Sequence, residues 1–362
     1  MSRLGEVALL FLKLGVIGFG GPAAHIALME EEVVQRRGWL TPTQFLDLVG
    51  AVNLIPGPNS TELAIQIGYE RAGKMGLGVA GVCFILPAVL LTGGLAWVYT
   101  TYGTLPQVAP VLAGIKPVIL AVVLVALWRL LKKALKSWSL AGIALGVLLG
   151  SLAGLNEVLV LLVGGVAGLG LGARAVLILL PGVAVQAETT TPVSLGALGW
   201  FFFKVGSVLF GSGYVLVAFL EGLVRDYGWL TRQQLLDAIA VGQFTPGPVL
   251  STATFIGYLI GGPGGAVVAT VAIFLPSFIF VLLLNPLLPL LRGSPQAGAF
   301  LDGVNAGSLA LMAAVVLKLL PVTVTDGVTL GLLGVSLVLL LRTQVNSVWL
   351  ILLGAGVGWL VL

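Results

Sequence analysis

The segment at 38–58, GWLTPTQFLDLVGAVNLIPGP, returns at 228–248 as GWLTRQQLLDAIAVGQFTPGP, with ten of twenty-one positions identical. Both copies end in a Pro-Gly-Pro triplet inside apolar sequence: Pro56, Gly57 and Pro58 in the first, Pro246, Gly247 and Pro248 in the second. Proline has no N–H and its ring clashes with the preceding turn, so a helix that reaches either triplet must stop there. A helix broken at the same place in two copies of one module is a device of membrane proteins, which use it to bring backbone polar groups and helix ends to mid-depth.

The duplication extends well beyond that segment. Lys13-x-Gly15 pairs with Lys204-x-Gly206, Phe19-Gly20 with Phe210-Gly211, and Glu30 with Glu221. Gly68-Tyr69 pairs with Gly257-Tyr258, Leu86-Pro87 with Leu275-Pro276, and Gly114 with Gly303. Two modules follow, 1–175 and 195–362, joined by a linker at 176–194 that contains the polar stretch AETTTPVS.

Of the 362 residues 58% are hydrophobic and only 9% charged. With a mean hydropathy of +1.12, the solvent for most of this chain is lipid. The 51 glycines suit close helix contact in a bilayer, where packing replaces the hydrophobic effect as the driving force. Lys and Arg sit between apolar runs, which fits basic loops and not a nucleic-acid footprint. Cys83 and His25 are the sole residues of their kinds. The chain therefore has no internal disulfide and no Cys/His metal cluster, and no redox cofactor site is expected. No phosphate-binding Gly-x-x-x-x-Gly-Lys-Ser/Thr loop occurs either, which argues against ATP drive within this chain. The apolar N-terminus carries Lys13 and has an internal counterpart at 195–213, so it reads as a retained first helix and not a cleaved signal.

Runs long enough to span fall at 75–101, 106–128, 138–155 and 157–173, with counterparts at 264–291, 296–317, 327–341 and 345–362. The arm at 43–55 is different: at 1.5 Å per residue it reaches only about 20 Å, against a hydrocarbon core of ~30 Å. It opens with a capping box, Thr41-x-x-Gln44, repeated as Thr231-x-x-Gln234. A second short arm, 59–70, leads back to Arg71 and Lys74. This pattern predicts a re-entrant helical hairpin in each module, its break surrounded by protein or water. The cluster Arg129, Lys132, Lys133 and Lys136 belongs on the cytoplasmic side. With five crossings per module the second copy is inverted, which puts Arg36, Arg37, Arg71, Lys74, Arg174, Arg292 and Arg342 on the same side. The expected fold is an all-α integral membrane protein with two inverted-topology repeats, about ten transmembrane helices and two re-entrant hairpins.

The pattern Gly20-Gly21, Val34, Trp39, Pro56-Gly57-Pro58, Gly68 and Gly76 resembles the signature of the chromate ion transporter (CHR) family, and the two-module build is similar to its long-chain members. The resemblance covers nearly the whole chain. It implies a multi-pass protein of a bacterial or archaeal inner membrane that moves chromate outward, with sulfate, a similar tetrahedral dianion, as the alternative substrate. The second module departs from the signature, with Gly211-Ser212-Gly213 in place of Gly-Gly-Pro.

An oxyanion at mid-membrane needs N–H donors and positive potential. The arm after each Pro-Gly-Pro presents free N–H groups and the positive end of its dipole at the break. Its first turn carries Asn59, Ser60 and Thr61 in one module and Ser251, Thr252 and Thr254 in the other. The plain alternative is that Asn59-x-x-Glu62 is an ordinary cap and the hydroxyls bond their own helix. Gly20 and Gly21, with Gly211, Ser212 and Gly213, form either an anion-cradling nest or a tight turn. Lys13 and Lys204 lie within the first apolar run of each module, as anion-attracting groups or as snorkelling ones. Glu62, the carboxylate nearest a break, has Thr252 opposite it and is the candidate proton-coupling group. His25 and Glu30 on 23–37 read as structural, Asp47 and Asp237 as mouth residues paired with basic loops, and Lys116 as a partner for one of these carboxylates. The whole points to a secondary transporter working by alternating access. A sulfate importer or exchanger, an anion channel and a homodimeric assembly are left open.

Overall fold

Ser2, Thr41, Ser137, Asn156, Ser194, Ser294 and Asp326 each stand one residue before a helix and accept a backbone N–H from its first turn. These side chains replace the acceptors that a first turn lacks, so most helix starts follow directly from the sequence. Both expected capping boxes form: Gln44 N–H donates to Thr41 Oγ1 and Thr41 N–H to Gln44 Oε1, and Thr231 and Gln234 do the same.

The computed structural model describes residues 2–19, 21–103, 108–171, 193–210, 215–284, 294–343, 345 and 347–361. Among them there is no β-strand. The helices are α1 (Arg3–Ile17), α2 (Pro22–Glu30, continued as a π-helical turn Glu31–Arg36), α3 (Pro42–Val52), α4 (Asn59–Tyr102), α5 (Ala109–Ala134), α6 (Trp138–Leu152) and α7 (Glu157–Val166). They continue as α8 (Leu195–Val208), α9 (Leu216–Arg225), α10 (Arg232–Phe244), α11 (Thr252–Leu284), α12 (Pro295–Thr323), α13 (Gly327–Arg342) and α14 (Ser347–Val361). Gly20, Gly211, Ser212, Gly213, Arg174, Arg292 and most of the linker at 176–194 lie outside the described residues.

By length and apolarity, α4, most of α5, α11 with the turn before it, and α12 qualify as membrane spans, while α6, α13 and α14 are apolar but shorter. The 15 residues of α6 cover about 22 Å at 1.5 Å per residue, short of a ~30 Å core. Neither α4 nor α11 is straight. Helical geometry fails at Ala72 and Gly73 (φ 63°) and again at Gly261 and Gly262 (φ 61°). Beyond each reversal the chain returns along itself: Gly68 lies against Gly76 and Ala80, and Gly257 against Gly265 and Ala269. A short arm, 59–71 or 252–260, therefore folds back on a long one; this reversal at Gly73 and Gly262 was not expected from the sequence, whose predicted hairpin pairs 43–55 with 59–70 across the Pro-Gly-Pro break. Two boundaries differ from expectation. The arm α3 ends at Val52, because Asn53–Ile55 tighten into turns before Pro56. Helix α5 runs through the basic cluster, so Arg129 and Lys132 lie in its last turns, where positive charge favours the C-terminal dipole.

The chain forms two compact units that cut across the module division. The first is Met1–Val98, Val193–Gly213 and Val241–Gly293; the second is Tyr99–Pro192, Tyr214–Ala240 and Ser294–Leu362. In the first, Val7, Leu10, Phe11 and Leu14 of α1 share a core with Phe45, Leu48 and Val52 of α3 and with Leu63, Ala64, Ile67, Ala80 and Phe84 of α4. There α8 packs along α11. A methyl at Gly15 would lie 2.6 Å from Phe84 O, and one at Gly206 would overlap Ile273 O, so α1 on α4 and α8 on α11 make the same close contact. In the second unit α5 meets α14 at Gly114, Gly354 and Gly358, and α12 meets α7 and the turn after it at Gly303, Gly164 and Gly168. Small residues at these crossings let the backbones touch, which is how helices gain packing energy in lipid.

Candidate functional site

A broken helix leaves backbone groups that must find partners elsewhere. Gly57 has φ 138°, a region that an L side chain rarely enters. Its N–H donates to Leu209 O at 2.6 Å, just past the end of α8. Gly247 has φ 85°, and its N–H donates to Gly18 O at 2.8 Å, at the end of α1. Each break is thus tied to the end of the other module's first helix, and both ties lie within the first compact unit. Gly18 O also lies 2.9 Å from His25 Nε2. A carbonyl can only accept, so Nε2 carries the proton, and His25 Nδ1 is left buried without a partner. The structural role expected of His25 is the one observed.

Helix α4 begins directly after Pro58, whose carbonyl accepts from Thr61 N–H at 2.8 Å and Glu62 N–H at 3.1 Å. The N–H groups of Asn59 and Ser60 precede those bonds and have no intrahelical acceptor. Asn59 Nδ2 donates to Asn53 Oδ1 at 2.5 Å, and Asn53 Nδ2 to Val49 O at 2.9 Å, which joins the two arms across the break. Glu62 does not cap its helix. Its side chain turns back to Gly57, where a methyl would overlap Glu62 Oε1 and lie 2.6 Å from Ser277 Oγ of α11. Glu62, Thr61, Ser251 and Ser277 have no exposed surface. Both Glu62 carboxyl oxygens, Thr61 Oγ1, Ser251 Oγ and Ser277 Oγ lack a partner in hydrogen-bond geometry. Ser60 is buried beside them.

The second break is less polar. Thr252 Oγ1 donates to Val249 O at 2.7 Å, and Thr254 Oγ1 shares a 2.7 Å bond with Thr270 Oγ1. These hydroxyls serve their own hairpin. Ala88 faces Gly247 with its methyl, where Ser277, its counterpart in the other module, offers Gly57 a hydroxyl. Gly21, with φ 78°, is the N-cap of α2, and Pro22 takes the first helical position as expected.

The structure does not bring every candidate to the breaks. Lys13 Nζ donates to Glu32 Oε1 at 2.6 Å, with 44% of its side chain exposed. Glu32 also receives Arg36 and Arg37; above all the Lys13 hydrogen bond holds its carboxyl below the usual range. Lys204 is half-buried on α8. In the second unit Lys116 Nζ lies 3.3 Å from Asp237 Oδ1, and Tyr99 OH donates to Asp237 Oδ2 at 2.8 Å. The carboxylate partner expected for Lys116 is therefore Asp237. That residue is buried, because α10 turns it inward together with Leu235, Leu236 and Ile239. Sequence reasoning missed Ser277. Its signal was the serine that follows Leu275-Pro276 where alanine follows Leu86-Pro87.

Apolar helices, two folded-back arms and reciprocal breaks lined with buried oxygens define a multi-pass α-helical membrane protein with paired helix breaks. The sequence profile of the family described as "Chromate transporter" matches residues 5–169 and again 196–359. The chain belongs to the chromate transporter family. It is 32% identical to the chromate transport protein of Cupriavidus metallidurans, over 99% of this chain and 93% of that one. It is also 32% identical to the probable chromate transport protein of Synechococcus elongatus, over 87% and 84% respectively. An uncharacterized transporter of Methanocaldococcus jannaschii is 27% identical over 97% of this chain and 93% of its own length. No solved structure matches the chain.

Proposed function

We propose that this protein is a secondary transporter of the inner membrane that exports chromate, or a related tetrahedral oxyanion, by alternating access, and thereby confers chromate resistance. Relatives named as chromate transport proteins support the substrate. The observation that carries the mechanism is the reciprocal tie of the two breaks, Gly57 to Leu209 and Gly247 to Gly18. Two modules held break against helix end can exchange roles about a pseudo-twofold centre, which is what inverted repeats provide. The topology that goes with this reading is two inverted modules, 1–175 and 195–362, each with five crossings and a re-entrant hairpin.

The first break is the main binding half. Asn59 and Ser60 supply N–H donors, Ser60, Thr61 and Ser277 supply hydroxyls, and the arm from Asn59 adds the positive end of its dipole. Ser251 completes the set from the second module. Thr252 has its hydroxyl engaged, and Lys13 is committed to Glu32, so neither is a direct ligand in this reading. Lys204 draws the anion inward, and Gly21 lines the approach from the start of α2. A dianion leaving an interior-negative cell gains about 2.3 kcal/mol per charge per 100 mV, enough to drive export without ATP.

Everted membrane vesicles that contain the protein should accumulate labelled chromate without change of its oxidation state, and an excess of sulfate tests the substrate. Complete sulfate competition with higher affinity would make sulfate the substrate. An ohmic current in planar bilayers would replace the transporter with a channel.

A further inference from the structure

The Glu62 carboxyl has no place in a simple oxyanion site. It is wholly buried, both oxygens lack partners, and it lies against Gly57 and Ser277 Oγ, one turn from the free N–H groups of Asn59 and Ser60. Among the described residues no ion pair or hydrogen bond engages either oxygen. Of the elements packed around it, α1 brings Arg3, Glu6 and Lys13, the last two paired with Arg71 and Glu32, and α8, whose end is tied to Gly57, brings the half-buried Lys204. Helix α2 and its π-helical continuation bring His25, Glu30, Glu31, Glu32 and Arg36; α3 brings Asp47; and α11 carries no Lys, Arg, His, Asp or Glu. Among the described residues no ion pair or hydrogen bond joins any of these groups to Glu62, whose polar neighbour at Gly57 is Ser277.

We propose that Glu62 is a proton-carrying group that holds the place of the oxyanion, so that each anion moves together with one proton. The inference rests on reading the first break as the oxyanion site. With the break open to water and no anion bound, Glu62 is a carboxylate, and its negative charge faces the same N–H groups and dipole that would receive the anion. Two negative groups cannot share that site. The anion therefore enters as Glu62 takes a proton from the adjoining water, and the neutral carboxyl then donates its O–H to Ser277 Oγ or to an oxygen of the anion. Release on the far side returns the proton to water. A dianion plus a proton carries one net negative charge, so export stays favoured by an interior-negative potential.

The test is a proton count on the full chain in lipid nanodiscs. Chromate is titrated calorimetrically in two alkaline buffers of different ionisation enthalpy, where chromate itself is already the dianion. The expected result is uptake of close to one proton per chromate bound, with apparent affinity falling as much as tenfold per unit rise in pH. In Glu62→Gln, binding should persist with no proton uptake and little pH dependence. Binding to the unaltered protein with no uptake, or with proton release, overturns the proposal and leaves the oxyanion site standing. Uptake that survives in Glu62→Gln overturns the assignment to this residue. Absence of chromate binding to the unaltered protein at any pH overturns the oxyanion reading and this inference with it. The count on the unaltered protein decides even where the variant fails to fold.

Discussion

Replacing Lys116 with methionine should destabilise the protein far more than replacing Lys116 and Asp237 together. The two charges are 3.3 Å apart, with side chains only 11% and 5% exposed. At an effective dielectric of about 20, that separation corresponds to an attraction of about 5 kcal/mol. Methionine fills the volume of the lysine stem but leaves Asp237 buried and uncompensated, at a cost of about 3–5 kcal/mol. Asp237→Asn in the same chain removes the stranded charge and still accepts from Tyr99 OH, so the double variant should return to within ~1 kcal/mol of the unaltered protein. At roughly 2–4 °C per kcal/mol, the single variant should unfold about 10 °C lower in detergent, as followed by tryptophan fluorescence, and the double only slightly lower. The energies would then be strongly non-additive, as for groups in direct contact. Costs that simply add would show that Lys116 and Asp237 do not form a buried pair.

Ser277→Ala should weaken chromate binding about tenfold or more, the scale of a hydrogen bond to a charged group, without changing the unfolding temperature by more than a few degrees; equal affinity would remove Ser277 from the site. Gly114→Ala should cost about 1–3 kcal/mol by overpacking, because a methyl there meets Gly354 O and Gly358. Gly331→Ala, with nothing within 4 Å, should be neutral or stabilising by up to ~1 kcal/mol, so parallel melting curves decide whether close contact is the cause. Glu32 has a depressed pKa in the folded protein, chiefly through Lys13. Its contribution should be fully present above the unfolded carboxylate value of about 4.3 and vanish as pH falls through the lower folded value. Melting temperature should therefore decline on the acid side, and less steeply in Lys13→Met; the same slope in both would sever that link.

Local chemistry was the legible part of this chain. The Pro-Gly-Pro triplets mark the breaks that follow α3 and α10, and Thr41 and Thr231 cap the helices they precede, so these arms and breaks could be read from short stretches. Pairing across the chain could not be. Nothing near Lys13 in sequence indicates that Glu32 takes its charge, since that contact depends on α2 lying beside α1. The hydroxyl that faces Glu62 comes from Ser277 in the other module, and periodicity carries no information about such a neighbour. The capping alternative for Glu62 looked sound locally and fails because Pro58 O already occupies its N–H. Local sequence could not say which carboxylate Lys116 takes; the inward turn of α10 places Asp237 against it.

The glycine crossings of the second unit set an order of events. Helix α5 presents Gly114 to Gly354 and Gly358, which belong to α14 in the second half, while Gly303 closes on Gly164 and Gly168 from the first half. Neither half can finish its own packing. A nascent chain that has inserted only its first half holds α5 in the membrane with its glycine face open until α14 follows. Deletion of α14, Ser347–Val361, would therefore cost more than one helix, because the early half would lose its closing partner and remain open to quality-control proteases.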